Sequence, residues 1–295
     1  MKKLAFLFIL FLGLSGISRA QYSMDFGLNL GGSTYMGDID EPGDDYALPI
    51  NLLPRGSRYN IGLFYRFNFT KNIAARIGAH WVRVAGDDGL SDDAYNMGRN
   101  LSFRTDIYEF TLQGEYAWWV RNEIGNNSNV DFRADVHGGI GYMIFNPQGE
   151  LQSEWYDLRL LATEGIENEY NRGSLIIPAG LGFSWTFNKK IRLGMDFNYR
   201  YTFTDYLDDV STDYAYATEL PYLESIAFAN RSGEAYESGN ENLPDPSIYE
   251  PGQDRGNPDD NDSYILIQFK IAYVINLEGS GFSKPRHRKL IKGRR

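Results

Sequence analysis

The sequence predicts an all-β fold: an eight-stranded antiparallel transmembrane β-barrel with long extracellular loops and short periplasmic turns. Three observations carry that expectation. The chain opens with an export address, it contains eight long segments of period-two alternation, and short and long connections alternate between them.

Composition sets the limits first. The 295 residues hold 39 Asp/Glu against 29 Lys/Arg, a net charge of −10, with 15 % aromatics, 31 Gly, 21 Tyr and no Cys. Without Cys there is no disulfide framework, thiolate zinc site, Cys nucleophile or lipoprotein-type N-terminal lipidation. An acidic chain is a poor general binder of nucleic acid. Mean hydropathy is negative, which excludes a bundle of membrane helices.

The first twenty residues read as a signal peptide. Met1, Lys2 and Lys3 form a basic start, Leu4 to Leu14 is almost wholly apolar, and Ser18 and Ala20 are small residues two apart. Cleavage after Ala20 removes Lys2, Lys3 and Arg19 and takes the charge from −10 to −13.

The clearest strand runs from Ile191 to Phe203. Its odd positions are Ile191, Leu193, Met195, Phe197, Tyr199, Tyr201 and Phe203; its even positions are Arg192, Gly194, Asp196, Asn198, Arg200 and Thr202. In chain order, Asp25 to Tyr35 puts Phe26, Leu28 and Leu30 on one face. Tyr59 to Phe69 sets Ile61, Leu63, Tyr65 and Phe67 opposite Asn60, Gly62, Arg66 and Asn68. Ile73 to Val84 sets Ile77, Ala79 and Trp81 against Arg76, Gly78 and His80. Ile107 to Val120 sets Tyr108, Phe110, Leu112, Tyr116 and Trp118 against Glu109, Thr111, Gln113 and Glu115. Val130 to Phe145 sets Phe132, Val136, Ile140 and Tyr142 against Arg133, Asp135, His137 and Gly139. Leu175 to Phe187 sets Ile177, Leu181, Phe183 and Trp185 against Gly180, Gly182, Ser184 and Thr186. Tyr264 to Leu277 sets Ile265, Ile267, Phe269, Ile271 and Tyr273 against Gln268, Lys270 and Asn276.

A soluble sandwich alternates too. These strands, however, reach the roughly 9–11 residues that cross a bilayer at a tilt. Their apolar faces also end in Tyr, Trp and Phe, the girdle residues of membrane barrels. Three connections are short (70–72, 188–190 and about 122–129) and alternate with long loops at about 37–58, 85–106, 146–174 and 204–263. That asymmetry puts both termini in the periplasm. The expected organisation is a signal peptide over 1–20, an outer-membrane barrel over 21–279 and a basic periplasmic tail over 280–295.

An eight-stranded barrel is just filled by its side chains. The expected lumen holds Asp25, Glu109, Glu115, Asp135 and Asp196 against Arg66, Arg76, Arg133, Arg192, Arg200 and Lys270. Buried charges persist only when paired, so the expectation is a salt-bridged plug rather than an aqueous pore or proton path.

The last long loop holds fifteen Asp/Glu and only Arg231 and Arg255, which reads as a solvated surface. A sharper alternative is a calcium site of hard oxygen ligands at Asp205, Asp208, Asp209 and Asp213, although the spacing is not an EF-hand. After the eighth strand the charge flips. Lys284, Arg286, Arg288, Lys289, Lys292, Arg294 and Arg295 stand in a tail without acids. The tail either meets anionic head groups or docks an acidic periplasmic partner. No catalytic residue and no cofactor is expected: His80 and His137 point inward without a Ser-centred motif, and His287 lies on the tail.

A set of short motifs spans the chain. It comprises Gly31-Gly32-Ser33-Thr34-Tyr35-Met36-Gly37-Asp38, Arg58-Tyr59-Asn60, Gly86-Asp87-Asp88, Arg99-Asn100-Leu101-Ser102-Phe103 and Ile107-Tyr108-Glu109. Phe145-Asn146-Pro147-Gln148, Ala162-Thr163-Glu164-Gly165 and the run from Thr202 to Thr212 complete it. In this order the motifs resemble the PorG-like outer-membrane proteins of the Bacteroidetes type IX secretion system. The resemblance implies a barrel set in outer-membrane lipid and associated with the periplasmic ring of PorK and PorN type, not the conduit for secreted proteins. The expected function is therefore a non-enzymatic outer-membrane anchor for that assembly. The alternatives are a stand-alone structural or ligand-binding barrel, or a narrow channel for small solutes.

Overall fold

A computed structural model of the chain describes residues 23–39, 57–122, 129–237, 239 and 243–276. The signal-peptide segment and the basic tail, including Lys284, Arg286, Arg288, Lys289, Lys292, Arg294 and Arg295, lie outside the described residues.

Among the described residues nine strands form: β1 (Ser23–Met36), β2 (Arg58–Asn68), β3 (Ile73–Asp87), β4 (Ser102–Arg121), β5 (Val130–Leu151), β6 (Glu154–Asp157), β7 (Gly173–Phe187), β8 (Ile191–Thr202) and β9 (Ser263–Asn276). All pairings are antiparallel. The order β4-β3-β2-β1-β9-β8-β7-β5 is closed by the β4–β5 pairing, so eight strands make a complete ring without an edge. The ninth, β6, is a short flap folded onto the upper end of β5. Gln152 and Ser153 join the two at φ 52° and 69°, the left-handed pair a two-residue hairpin requires.

The ring fixes side-chain parity. Asp25 pairs with Arg66, Arg66 with Arg76, and Asp196 with Gln268, so inward residues share levels around the lumen. Outward residues are apolar and exposed: Ile140 is 66 %, Phe110 62 % and Leu63 61 % accessible, whereas Asp25 and Arg66 are wholly buried. This inverts the arrangement of a water-soluble domain. From Ile73 to Trp81 on β3 the outward run rises roughly 20 Å at a 40° tilt, close to the apolar band of membrane barrels. Above it the outer face turns charged, where Arg83 pairs with Asp106 at 2.7 Å. Tyr59 packs edge-on against Trp81, and the Arg83 guanidinium lies 5.5 Å from the Trp81 ring, marking an upper girdle. A bulge between Ala117 and Trp119 exposes both Trp118 and Trp119. With Phe132 and Trp185 they form a lower girdle. The barrel is thus a membrane-type barrel. No helix among the described residues is long and apolar enough to cross a membrane.

The upper strands run further than the alternation predicts. β3 reaches Asp87, β4 starts at Ser102 and β5 extends to Leu151, which shortens two of the long connections to 88–101 and 152–172, while the last, 203–262, keeps its expected length. The outward pattern breaks at Arg83, Arg104 and Asp106, so this stretch reads as loop. Yet its inward residues Val82, Val84, Phe103, Met143 and Phe145 are buried under loop residues Ile39, Leu207, Val210 and Phe228. That apolar core keeps the ladder intact above the membrane. Among the described residues four short α-helices sit in the loops: α1 (Ala94–Arg99), α2 (Leu158–Leu161), α3 (Leu223–Ala229) and α4 (Ser232–Glu237). The final loop is therefore a packed cap in part: Asp205, Asp208, Asp209 and Asp262 are buried in it, while its other described acids are exposed, as a solvated surface requires.

Candidate functional site

The lumen is built by parity alone. Each strand points every second side chain inward, and in the lower half those residues are charged. Asp25 on β1 accepts from Asn68 at 2.8 Å and lies between Arg66, at 3.1 Å, and Arg192. Glu115 on β4 is the hub, 2.8 Å from Arg66, 3.2 Å from Arg76 and 3.3 Å from Arg133. Asp196 on β8 takes Arg76 at 2.7 Å and Lys270 at 2.5 Å. Asp135 on β5 meets Arg133 at 3.2 Å and His137 at 3.3 Å. One level higher, Glu109 accepts a two-pronged bond from Arg200 at 2.9 and 3.0 Å and a hydroxyl bond from Tyr264 at 2.7 Å, with His80 at 3.0 Å. The eleven charged residues named from the sequence all stand in this lumen, each at most 9 % accessible.

Neutral groups complete the network. Gln268 donates to Asn60 at 2.7 Å, Asn198 lies 2.7 Å from His137, and Asn29 lies 3.1 Å from His80. Gln113 accepts from Arg76 at 2.8 Å. Phe64 points inward between two guanidinium groups, with Arg66 5.6 Å and Arg76 6.0 Å from its ring. Sequence reasoning missed Phe64 and Tyr264 as partners of the charges; only their inward parity signals the role. Two glycines make the room. A Cβ on Gly182 would lie 2.7 Å from Asp135 and 2.8 Å from Asp196, and one on Gly62 would collide with the His80 ring. Chemically the arrangement seals. It fills the bore with nearly balanced charge, five acids against six bases, and both histidines are held by carboxylates and amides rather than set beside a nucleophile.

The cap closes the outer mouth. Arg99 on α1 forks onto Asp88 at 2.7 and 2.9 Å and donates to the carbonyls of Arg255 and Asp38. Arg255 donates to Glu164 and to the carbonyls of Asp209 and Ala229. Glu164 also accepts from the backbone N–H groups of Ser211 and Thr212. These two arginines tie the described parts of the four long loops to one another.

The structure does not gather Asp205, Asp208, Asp209 and Asp213, the acids of the calcium alternative, into one metal-holding group. Among the described residues no group of three or more acidic or histidine side chains is placed to hold a metal ion. Asp208 accepts from the N–H groups of Ile39 and Val210, while Asp209 accepts from Tyr170 and Thr163. Asp213 is exposed on a bridge to Asp254. The tight chain turn at Asp209, with φ 69°, sends neighbouring carboxyls in different directions. Burial raises the carboxyl of Asp205 to about 8, that of Asp262 to about 7 and that of Asp209 to about 6. Asp208 is pushed well above the usual range by burial and by Asp262 and Asp38. Beside the cap, a cavity of about 470 Å³ opens between α1 and residues 248–257, lined by Asp38, Tyr95, Asn96, Gln253 and Asp254 among others.

Comparison with known proteins bears on the barrel. Similar solved structures include the N-terminal β-barrel domain of Pseudomonas aeruginosa OprF, at 6 % identity over 87 % of this chain and 98 % of that one, with a TM-score of 0.37. The outer membrane protein OprG of the same organism is 14 % identical over 88 % and 97 %, with a TM-score of 0.36. A major outer membrane protein of Thermus thermophilus is 11 % identical over 85 % and 99 %, with a TM-score of 0.35. No curated protein matches the chain. Residues 2–230 match the family described as a domain of unknown function, DUF6089, and the chain belongs to that family.

Proposed function

We propose that the chain is a non-enzymatic outer-membrane scaffold, anchoring a periplasmic assembly of the type IX secretion kind. The observation that supports this reading most is the filled lumen. Five carboxylates and six cations occupy the bore and bond one another, so transport through it would require breaking several buried ion pairs at once. Function then rests on surfaces. The short-turn end, where β1 begins and β9 ends, is the one this reading turns to the periplasm. The resemblance to PorG-like proteins supplies the partner class: ring proteins of PorK and PorN type.

The test is purification of the tagged protein from native membranes in mild detergent, with and without residues 284–295. Ring proteins are expected to co-purify with the full chain and to be lost from the truncated one. Absence of any ring protein after crosslinking would refute the anchor. A second reading, a ligand-binding barrel, draws on the cap cavity with its amide, carboxylate and Tyr95 lining. A loop-shaved chain that still supports secretion would count against it as the main role.

A further inference from the structure

The cap differs from the lumen in one respect: three of its buried acids have no base of their own. Asp205, Asp208 and Asp262 are 7 %, 1 % and 0 % accessible. Both carboxyl oxygens of Asp205 are buried without a well-aligned hydrogen-bond partner. The groups facing these three are Tyr35 from the end of β1, Asp38 just beyond it, Glu164 from the loop after α2, and Ser211. Tyr35 donates its hydroxyl to Asp262. The nearby cations are already engaged, Arg99 with Asp88 and Arg255 with Glu164. Three chain segments meet here. Asp262 receives the Leu207 N–H at 2.8 Å, and Asp208 receives those of Ile39 at 3.1 Å and Val210 at 2.9 Å. The carboxyls therefore pin the first and last long loops across the mouth of the barrel.

We propose that Asp205, Asp208 and Asp262 form a proton-held latch that keeps the extracellular cap closed and loosens it as the external pH rises. An ionised carboxylate buried without a cation is costly, and in the closed cap the neutral form avoids that cost. Opening hydrates the three groups and returns them to the ordinary aspartate range near 4. The closed cap thus holds protons that the open cap releases. Its stability is fully present below about pH 4 and falls as pH rises towards about 8, where Asp205 ionises in place. Each retained proton increases the opening equilibrium about tenfold per pH unit within that window.

The latch amides report this directly. The full chain in detergent micelles is studied by hydrogen–deuterium exchange between pH 5.5 and 8.5, with rates corrected for intrinsic exchange. Protection over residues 203–212 is expected to fall at least tenfold per pH unit, while that of β8 holds. Asp205→Asn, which is nearly isosteric and neutral, should reduce the slope by about one tenfold step per unit; Asp262→Asn is the second variant should the first misfold. Protection independent of pH in the natural chain would overturn the latch, as would an unchanged slope in both variants. So would calcium chloride at 1 mM restoring protection at pH 8 in the natural chain alone, since the occupant would then be a cation and not a proton.

Discussion

Glu115→Gln is expected to destabilise the barrel by about 3–5 kcal/mol, the range for breaking a buried ion pair from one side. Three guanidinium groups converge on this one carboxylate, and its side chain is wholly buried. Glutamine keeps the shape and removes the charge. Arg66 keeps Asp25, Arg76 keeps Asp196 and Arg133 keeps Asp135, so no arginine is left alone. The mutual repulsion of the three is no longer offset, however, because Glu115 is the acid they share. Heat- or urea-induced unfolding in detergent, read by the gel mobility of folded and unfolded barrel, should show a clear loss. A midpoint equal to that of the natural chain would contradict the network. A double-mutant cycle with Arg133→Gln should recover part of the loss, since it removes one of the three mutually repelling cations.

Arg200→Leu should cost a similar amount for the opposite reason. Arg200 holds Glu109 with a two-pronged bond at the level where the polar lumen gives way to the apolar plug. Leucine strands a fully buried carboxylate, leaving it His80 and the Tyr264 hydroxyl. The loss should be about 3 kcal/mol or somewhat more, and Arg200→Lys should fall between, keeping the charge but not the fork. Unchanged mobility on heating would show that Glu109 finds compensation elsewhere.

The lower barrel was legible because its two faces obey one rule. On β8 every odd residue is apolar and every even one polar or Gly, so parity alone assigned Arg192, Asp196 and Arg200 to the lumen. Pairing was less legible. That Glu115 gathers arginines from β2, β3 and β5 follows from register and side-chain reach, which alternation does not encode. The upper barrel escaped the same rule. There Arg83 and Asp106 lie on the outer face while Val84 and Phe103 point inward, so the polarity of the two faces reverses above the membrane. The acids of the last loop misled in another way. Their number suggested solvent, which holds for most of them, or calcium; Asp208 and Asp262, however, are buried as acceptors of backbone N–H groups, a role set by a fold that brings residue 39 beside residue 208. The Trp118–Trp119 bulge is also a register feature: a single inserted residue restores outward parity for a second tryptophan.

The central claim is that the bore is sealed, and planar-bilayer recording of the full folded chain tests it most directly. The account predicts a silent bilayer at moderate voltage and neutral pH, because every lumen level is spanned by bonded side chains. Steady, discrete openings of one size would contradict it, and the narrow-channel alternative would then replace the scaffold.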